Sequence, residues 1–94
     1  MSVDQKALKQ EKRRVVERLE ELGVGPVLGV YRKPSEAIYF LEVEVPNEET
    51  LRVLENVGPM LDKIMMNNDF MIAVLPVPPG TKATREAQTT TAVP

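Results

Sequence analysis

Residues 37–45 read Ala37-Ile38-Tyr39-Phe40-Leu41-Glu42-Val43-Glu44-Val45. The second half of this stretch alternates strictly, with Leu41, Val43 and Val45 on one side and Glu42 and Glu44 on the other. That period of two is the pattern of a strand with one face turned to a core. The first half, Ile38 to Leu41, is apolar on both sides, which leaves apolar side chains on the face that bears the glutamates. Just upstream, Lys33-Pro34-Ser35-Glu36 has turn chemistry, with Pro34 suited to the second position of a type I or II turn. Lys33 and Ser35 are read as turn residues rather than as a Ser-Lys pair. Before the turn, Val27 to Arg32 forms a second short strand, in which Gly29 predicts a bulge or a close backbone approach. The two strands make an antiparallel hairpin.

Working outward, Gly25-Pro26 separates this hairpin from an N-terminal helix. Asp4 caps that helix, which runs to about Leu22 and stops at Gly23. Leu8, Val15, Leu19 and Leu22 lie in one narrow stripe, while Lys6, Lys9, Arg13, Glu17 and Glu20 occupy the opposite face. On the other side of the hairpin, Asn47 is the expected cap of a second helix. Leu51, Leu54, Leu61 and Met65, joined by Val57 and Ile64, form its expected buried face. Gly58-Pro59 interrupts the pattern and predicts a kink or a split. Asn67-Asn68-Asp69 ends the helix. Phe70 to Leu75 is a continuous apolar run, expected as a strand covered on both faces.

The order is helix, strand, strand, helix, strand. A right-handed crossover sets the third strand parallel to the second. The expected fold is α+β: a three-stranded mixed sheet with helices on one face and the other face largely uncovered. The domain spans residues 1–77. From Pro76 onward, Pro78-Pro79-Gly80 and a Thr-rich polar run predict an extended or disordered tail over 78–94.

Composition narrows the function. The chain has 12 basic and 14 acidic residues, a formal net charge of −2, and neither His nor Cys. Without those two residue types there is no Ser-His-Asp triad, Cys nucleophile, thiol redox couple or thiolate metal site. Catalysis would rest on carboxylates, Lys, Tyr or an oxygen-bound metal, and on balance the composition argues against an enzyme. The mild acidity also argues against a dedicated nucleic-acid binder. No secretory leader or membrane-length apolar run is legible, so the cytoplasm is the expected location. A core built from fewer than 80 residues, with no disulfide or zinc to help, is marginal alone. Self-association, most simply a symmetric dimer, is the route left.

Three groups of residues are candidate sites. Glu42 and Glu44 share one side of a strand and, with Asp69, offer oxygens to magnesium. The plain alternative is a strand showing its polar face to water. Lys6, Lys9, Lys12, Arg13 and Arg14 form a basic cluster that could follow a phosphate backbone, although Glu11, Glu17, Glu20 and Glu21 are interleaved with it. Ile38 and Phe40 on the strand, with Met60 and Met66 on the second helix, are the expected interface. Met65 and Met71 are expected in the core.

The element order, together with Glu42-Val43-Glu44, resembles the minimal core of the polymerase-β-type nucleotidyltransferases. In that family two acids one residue apart on the second strand, and a third on the next strand, hold metal. The likeness covers about residues 5–77 and assigns those roles to Glu42, Glu44 and Asp69. The family's Gly-Ser after the first strand is absent, and Gly29-Val30-Tyr31-Arg32 stands in its place. The resemblance implies a degenerate or metal-dependent nucleotide-binding domain that uses magnesium.

The leading expectation is a small non-catalytic oligomeric interaction module, needing no cofactor. The nucleotide-binding domain is the alternative, and nucleic-acid binding through the first helix is a further one.

Overall fold

Residues 38–44 form the middle strand of the sheet. The computed structural model describes residues 4–33 and 35–91, with side chains through residue 87. Its elements are α1 (Gln5–Glu21), β1 (Val27–Arg32), β2 (Ile38–Glu44), a 3-10 turn (Asn47–Glu49), α2 (Thr50–Asn67), β3 (Met71–Val77) and α3 (Thr81–Thr91). The strand order is β1-β2-β3, with β2 antiparallel to β1 and parallel to β3. This is the α+β fold with a mixed three-stranded sheet that the sequence pattern implied. The register of β1 on β2 shifts between Val27 and Gly29, the bulge that Gly29 foretold. Pro34 lies outside the described residues, as do 92–94 at the end of the chain.

α1 forms for the reasons its sequence gives. The Asp4 carboxylate accepts from the backbone N–H groups of Lys6 and Ala7 at 3.0 and 3.2 Å, capping the first turn. At the other end Gly23 takes φ +77°, a conformation that costs glycine little. The N–H of Val24 reaches the carbonyl of Leu19, and that of Gly23 reaches Glu20. These two bonds satisfy carbonyls the helix would otherwise leave open. Leu8, Val15 and Leu19 are buried, as their stripe required.

α2 departs from expectation in its cap and in its buried face. Asn47 does not cap it but opens the short 3-10 turn that leads into it. Of the kink or split expected at Gly58-Pro59, the split does not occur: the helix runs from Thr50 to Asn67 with Pro59 inside. Pro59 is exposed, so water can reach the carbonyl that its missing N–H leaves unpaired. The buried face is Val53, Val57 and Ile64, with Met60 and Leu61 packed against the same core. Leu51, Leu54 and Met65 face outward instead. Two apolar stripes compete on this helix, and the β-branched one won the core.

That core lies between the two helices and one face of the sheet. Tyr39, Leu41 and Val43 of β2 and Ile72 and Val74 of β3 meet the α1 and α2 stripes there. Tyr39 and Phe70 pack edge to face with ring centroids 6.3 Å apart. Each fully buried aliphatic side chain contributes about 1.5–3 kcal/mol relative to exposure. Met71, expected inside, is exposed on the sheet's other face, whereas Met60, expected at an interface, packs on the core.

The C-terminal expectation also changes. β3 continues through Pro76 to Val77, and residues 81–91, read as an irregular tail, form α3. Proline fits in β3 because the strand is an edge: alternate residues turn their backbone outward, and Pro76 is one of those. α3 reaches the sheet face opposite α1 and α2, which the sequence had left bare.

Candidate functional site

Alternation along β2 sends Tyr39, Leu41 and Val43 into the core and sets Glu42 and Glu44 on the opposite face. Both glutamates are nevertheless buried. A buried carboxylate needs partners, and α3 supplies them. The Glu44 carboxylate accepts from the backbone N–H of Gly80 at 2.7 Å and of Lys82 at 2.9 Å. Gly80 is the cap residue of α3, since its carbonyl takes the first helical bond, from Thr84. Gly80 holds φ +90°, and only a residue free to adopt that angle presents its amide this way. Glu44 therefore does from a distant strand what a local Asp or Ser does for most helices: it satisfies open amides and sits at the positive end of the dipole.

One step along the same face, Arg85 grips Glu42 with both arms of its guanidinium: Nη1 on Oε1, and Nη2 on Oε2 at 3.1 Å. Tyr31 on β1 donates its hydroxyl to Glu42 Oε1 at 2.9 Å and accepts from Arg85 Nη1 at 3.3 Å. The hydrogen bond from Arg85 holds the Glu42 carboxyl below its ordinary value, against the opposing pull of burial, with help from Tyr31 and the Arg85 charge. The backbone amides of Lys82 and Gly80 lower the Glu44 carboxyl in the same way. The bond to Glu42 in turn raises the Arg85 guanidinium.

The three acids proposed as metal ligands do not converge. In the parallel register Glu42 faces Leu75, while Asp69 precedes Met71 at the other end of β3. Met71 and Leu75 alone are about 13 Å apart along the strand. Among the described residues no group of three or more His, Cys, Asp or Glu side chains is placed to hold a metal ion. Asp69 stands apart from the two glutamates, and both of those are bonded to α3.

The basic cluster is divided as well. Lys9, Lys12 and Arg13 line a shallow groove between α1 and Val30, shared with Glu17 and Glu20. Lys6 is exposed on the same outer side, whereas Arg14 pairs with Glu11 at 3.2 Å and turns toward α2. No single basic strip runs along α1.

The apolar candidates fare differently. Ile38 and Phe40 are half-buried on the Glu42 face, and Met66 is 78 % exposed. Around Met66 lies a surface the sequence had assigned to the core: Leu51 is 68 % exposed, Met65 44 % and Leu54 38 %. Leu51, Leu54, Gly58, Leu61 and Met65 recur at spacings of three, four, three and four, a heptad seam along the outer flank of α2. α2 packs over β3, and its opposite flank meets α1, where Arg18 bonds Asn56 at 3.3 Å and Arg52 bonds the Leu22 carbonyl at 3.1 Å. The seam therefore points away from α1, past the β3 edge.

No family model, curated protein or solved structure matches this chain. The reading of its surfaces stands on their geometry. Tyr31, Gly80 and Arg85, which complete the Glu42–Glu44 cluster, were missed. Two signals point to them in retrospect: paired glutamates on a half-apolar strand face, which need cationic partners, and Ala, Arg, Glu and Gln residues in the Thr-rich segment, which favour a helix.

Proposed function

We propose that this chain is a small self-associating interaction module without catalysis of its own, and that the outer flank of α2 is its contact surface. The observation that carries this reading is the exposed seam of Leu51, Leu54 and Met65 on a helix that already has a separate, fully buried core stripe. Isolated apolar residues on a surface are ordinary; a run of them at heptad spacing on one flank marks a contact site. Gly58 in the middle of the seam has open space where a Cβ would stand, so a second helix can approach closely there.

Size supports the same reading. A compact monomer of 10.5 kDa exposes about 5,400 Å², and this chain exposes 6390 Å². α3, lightly packed on the sheet, accounts for part of the excess. A standard interface takes about 800 Å² from each partner. Light scattering at micromolar concentration is expected to give a dimer. The double variant Leu51→Lys, Leu54→Lys is expected to be a folded monomer, because both side chains are exposed and their replacement leaves the core untouched. A wild type that stays monomeric and folded removes the proposal.

A further inference from the structure

The two edges of the sheet are not alike. β1 ends in Arg32, followed by Lys33, and carries the bulge beside Gly29. A charged end and a broken ladder both discourage a further strand from pairing. β3 has neither. Its seven residues, Met71 to Val77, include no charged side chain, and α2, which carries the exposed seam, packs over it. Pro76 is its one departure from an ideal strand.

The backbone parity of β3 can be read from its two ends. The Met71 N–H donates to the Ala37 carbonyl, and the Val77 carbonyl accepts from the Val45 N–H, both at 2.9 Å. Residues 71, 73, 75 and 77 therefore turn their amide and carbonyl toward β2. Ile72, Val74 and Pro76 turn theirs to the free edge. That edge presents the N–H groups of Ile72 and Val74 and the carbonyls of Ile72, Val74 and Pro76. Proline has no donor to leave unpaired.

We infer that β3 pairs antiparallel with β3 of a second copy, joining two three-stranded sheets into one of six. This rests on the self-association proposed above and specifies how it is built. With the two-fold axis at Val74 the strand overlaps itself completely. Val74 then exchanges both bonds with the partner's Val74, and each Ile72 N–H meets the partner's Pro76 carbonyl. Both outward donors of each copy find acceptors, and proline falls where an acceptor alone is needed. Because β3 carries no charge, self-pairing opposes no like charges. α2 lies over β3, so the same axis sets the α2 seam antiparallel against its own copy, where Gly58 permits close approach. Strand pairing and seam packing are satisfied by one symmetric contact.

Residue-resolved amide exchange on the full chain tests this, across a concentration series that light scattering has divided into monomer and dimer. The Ile72 and Val74 amides are expected to exchange quickly in the monomer and at least about tenfold more slowly in the dimer. The amides of Met71, Ala73 and Leu75, bonded to β2, stay slow in both and act as internal controls. In the Leu51→Lys, Leu54→Lys variant Ile72 and Val74 are expected to remain fast at every concentration. A dimer in which Ile72 and Val74 exchange as fast as in the monomer overturns the edge pairing while leaving association through α2 intact. A chain that is monomeric throughout overturns both, and leaves the edge to a strand of a different protein.

Discussion

The two faces of β2 are closed by opposite means. On one, Leu41 and Val43 meet two helices whose apolar stripes repeat at helical spacing, and the contact is continuous and apolar. On the other, Glu42 and Glu44 are covered by α3 through a few directed polar bonds, from residues 36 to 43 positions away in the chain. The first face depends on area and tolerates exchange of one hydrophobe for another. The second depends on charge and geometry, and each contact has one donor and one acceptor. The same alternating strand therefore carries a core that holds the fold and a latch that holds one helix.

The largest expected effect breaks the first face. Leu41→Ala removes a fully buried side chain at the centre of the sheet and leaves a cavity between both helices. The loss is expected to be about 2–5 kcal/mol, read as a lower urea midpoint with an unchanged slope. All elements should melt together, because this face is shared by α1, α2, β2 and β3.

Breaking the second face should do something different in kind. Glu42 and Glu44 both have carboxyl pKa values depressed by their α3 partners. A depressed folded-state pKa means stability that is complete above the ordinary value of 4.5 and is lost as pH falls through the lower folded values. Acidification below about 4.5 is therefore expected to release α3 before the core unfolds. The readout is the NMR protection factor of the Gly80 and Lys82 amides, their exchange rate relative to an unfolded chain at the same pH; held at neutral pH by Glu44, it should fall as the acid limb is entered. The double variant Glu42→Gln, Glu44→Gln should show low protection already at pH 7 and little further change in protection on acidification. If the double variant protects Gly80 and Lys82 as well as the wild type does at pH 7, the latch is not made of these carboxylates.

This contrast also explains what the sequence could and could not say. The inner face rests on periodicity, and periodicity is local: β2, the α1 stripe from Leu8 to Leu19, the Gly29 bulge and the parallel β3 were all legible. α2 shows the limit of that signal. Leu51-Leu54-Leu61-Met65 and Val53-Val57-Ile64 are both valid helical stripes, and hydrophobicity alone does not choose between them. Only the position of α1 and β3 decides which stripe is buried, and that information is not in the helix. The outer face is harder still. Glu42 and Glu44 were visible as a pair, but a pair of carboxylates on a strand suits a cation, water or a guanidinium equally well. Their actual partners lie beyond three prolines, in a segment whose Thr content argued against a helix. A latch formed by single contacts across some forty residues leaves no repeating trace to find.

The smallest expected effect separates charge from geometry within the latch. Arg85→Lys keeps a cation beside Glu42 but replaces the planar fork by a point charge, so only one carboxylate oxygen can be held and the contact with Tyr31 is lost. Glu44 still caps Gly80 and Lys82, so α3 should remain helical and docked, with its inner end looser. Amide exchange at Lys82 is expected to fall between wild type and Arg85→Ala. If lysine restores full protection, attraction alone holds this corner and the two-armed grip adds nothing. If lysine behaves as alanine does, the fork is what counts. In that case the buried Glu42 is matched to arginine as closely as Leu41 is matched to the core behind it, although one match is made by direction and the other by volume.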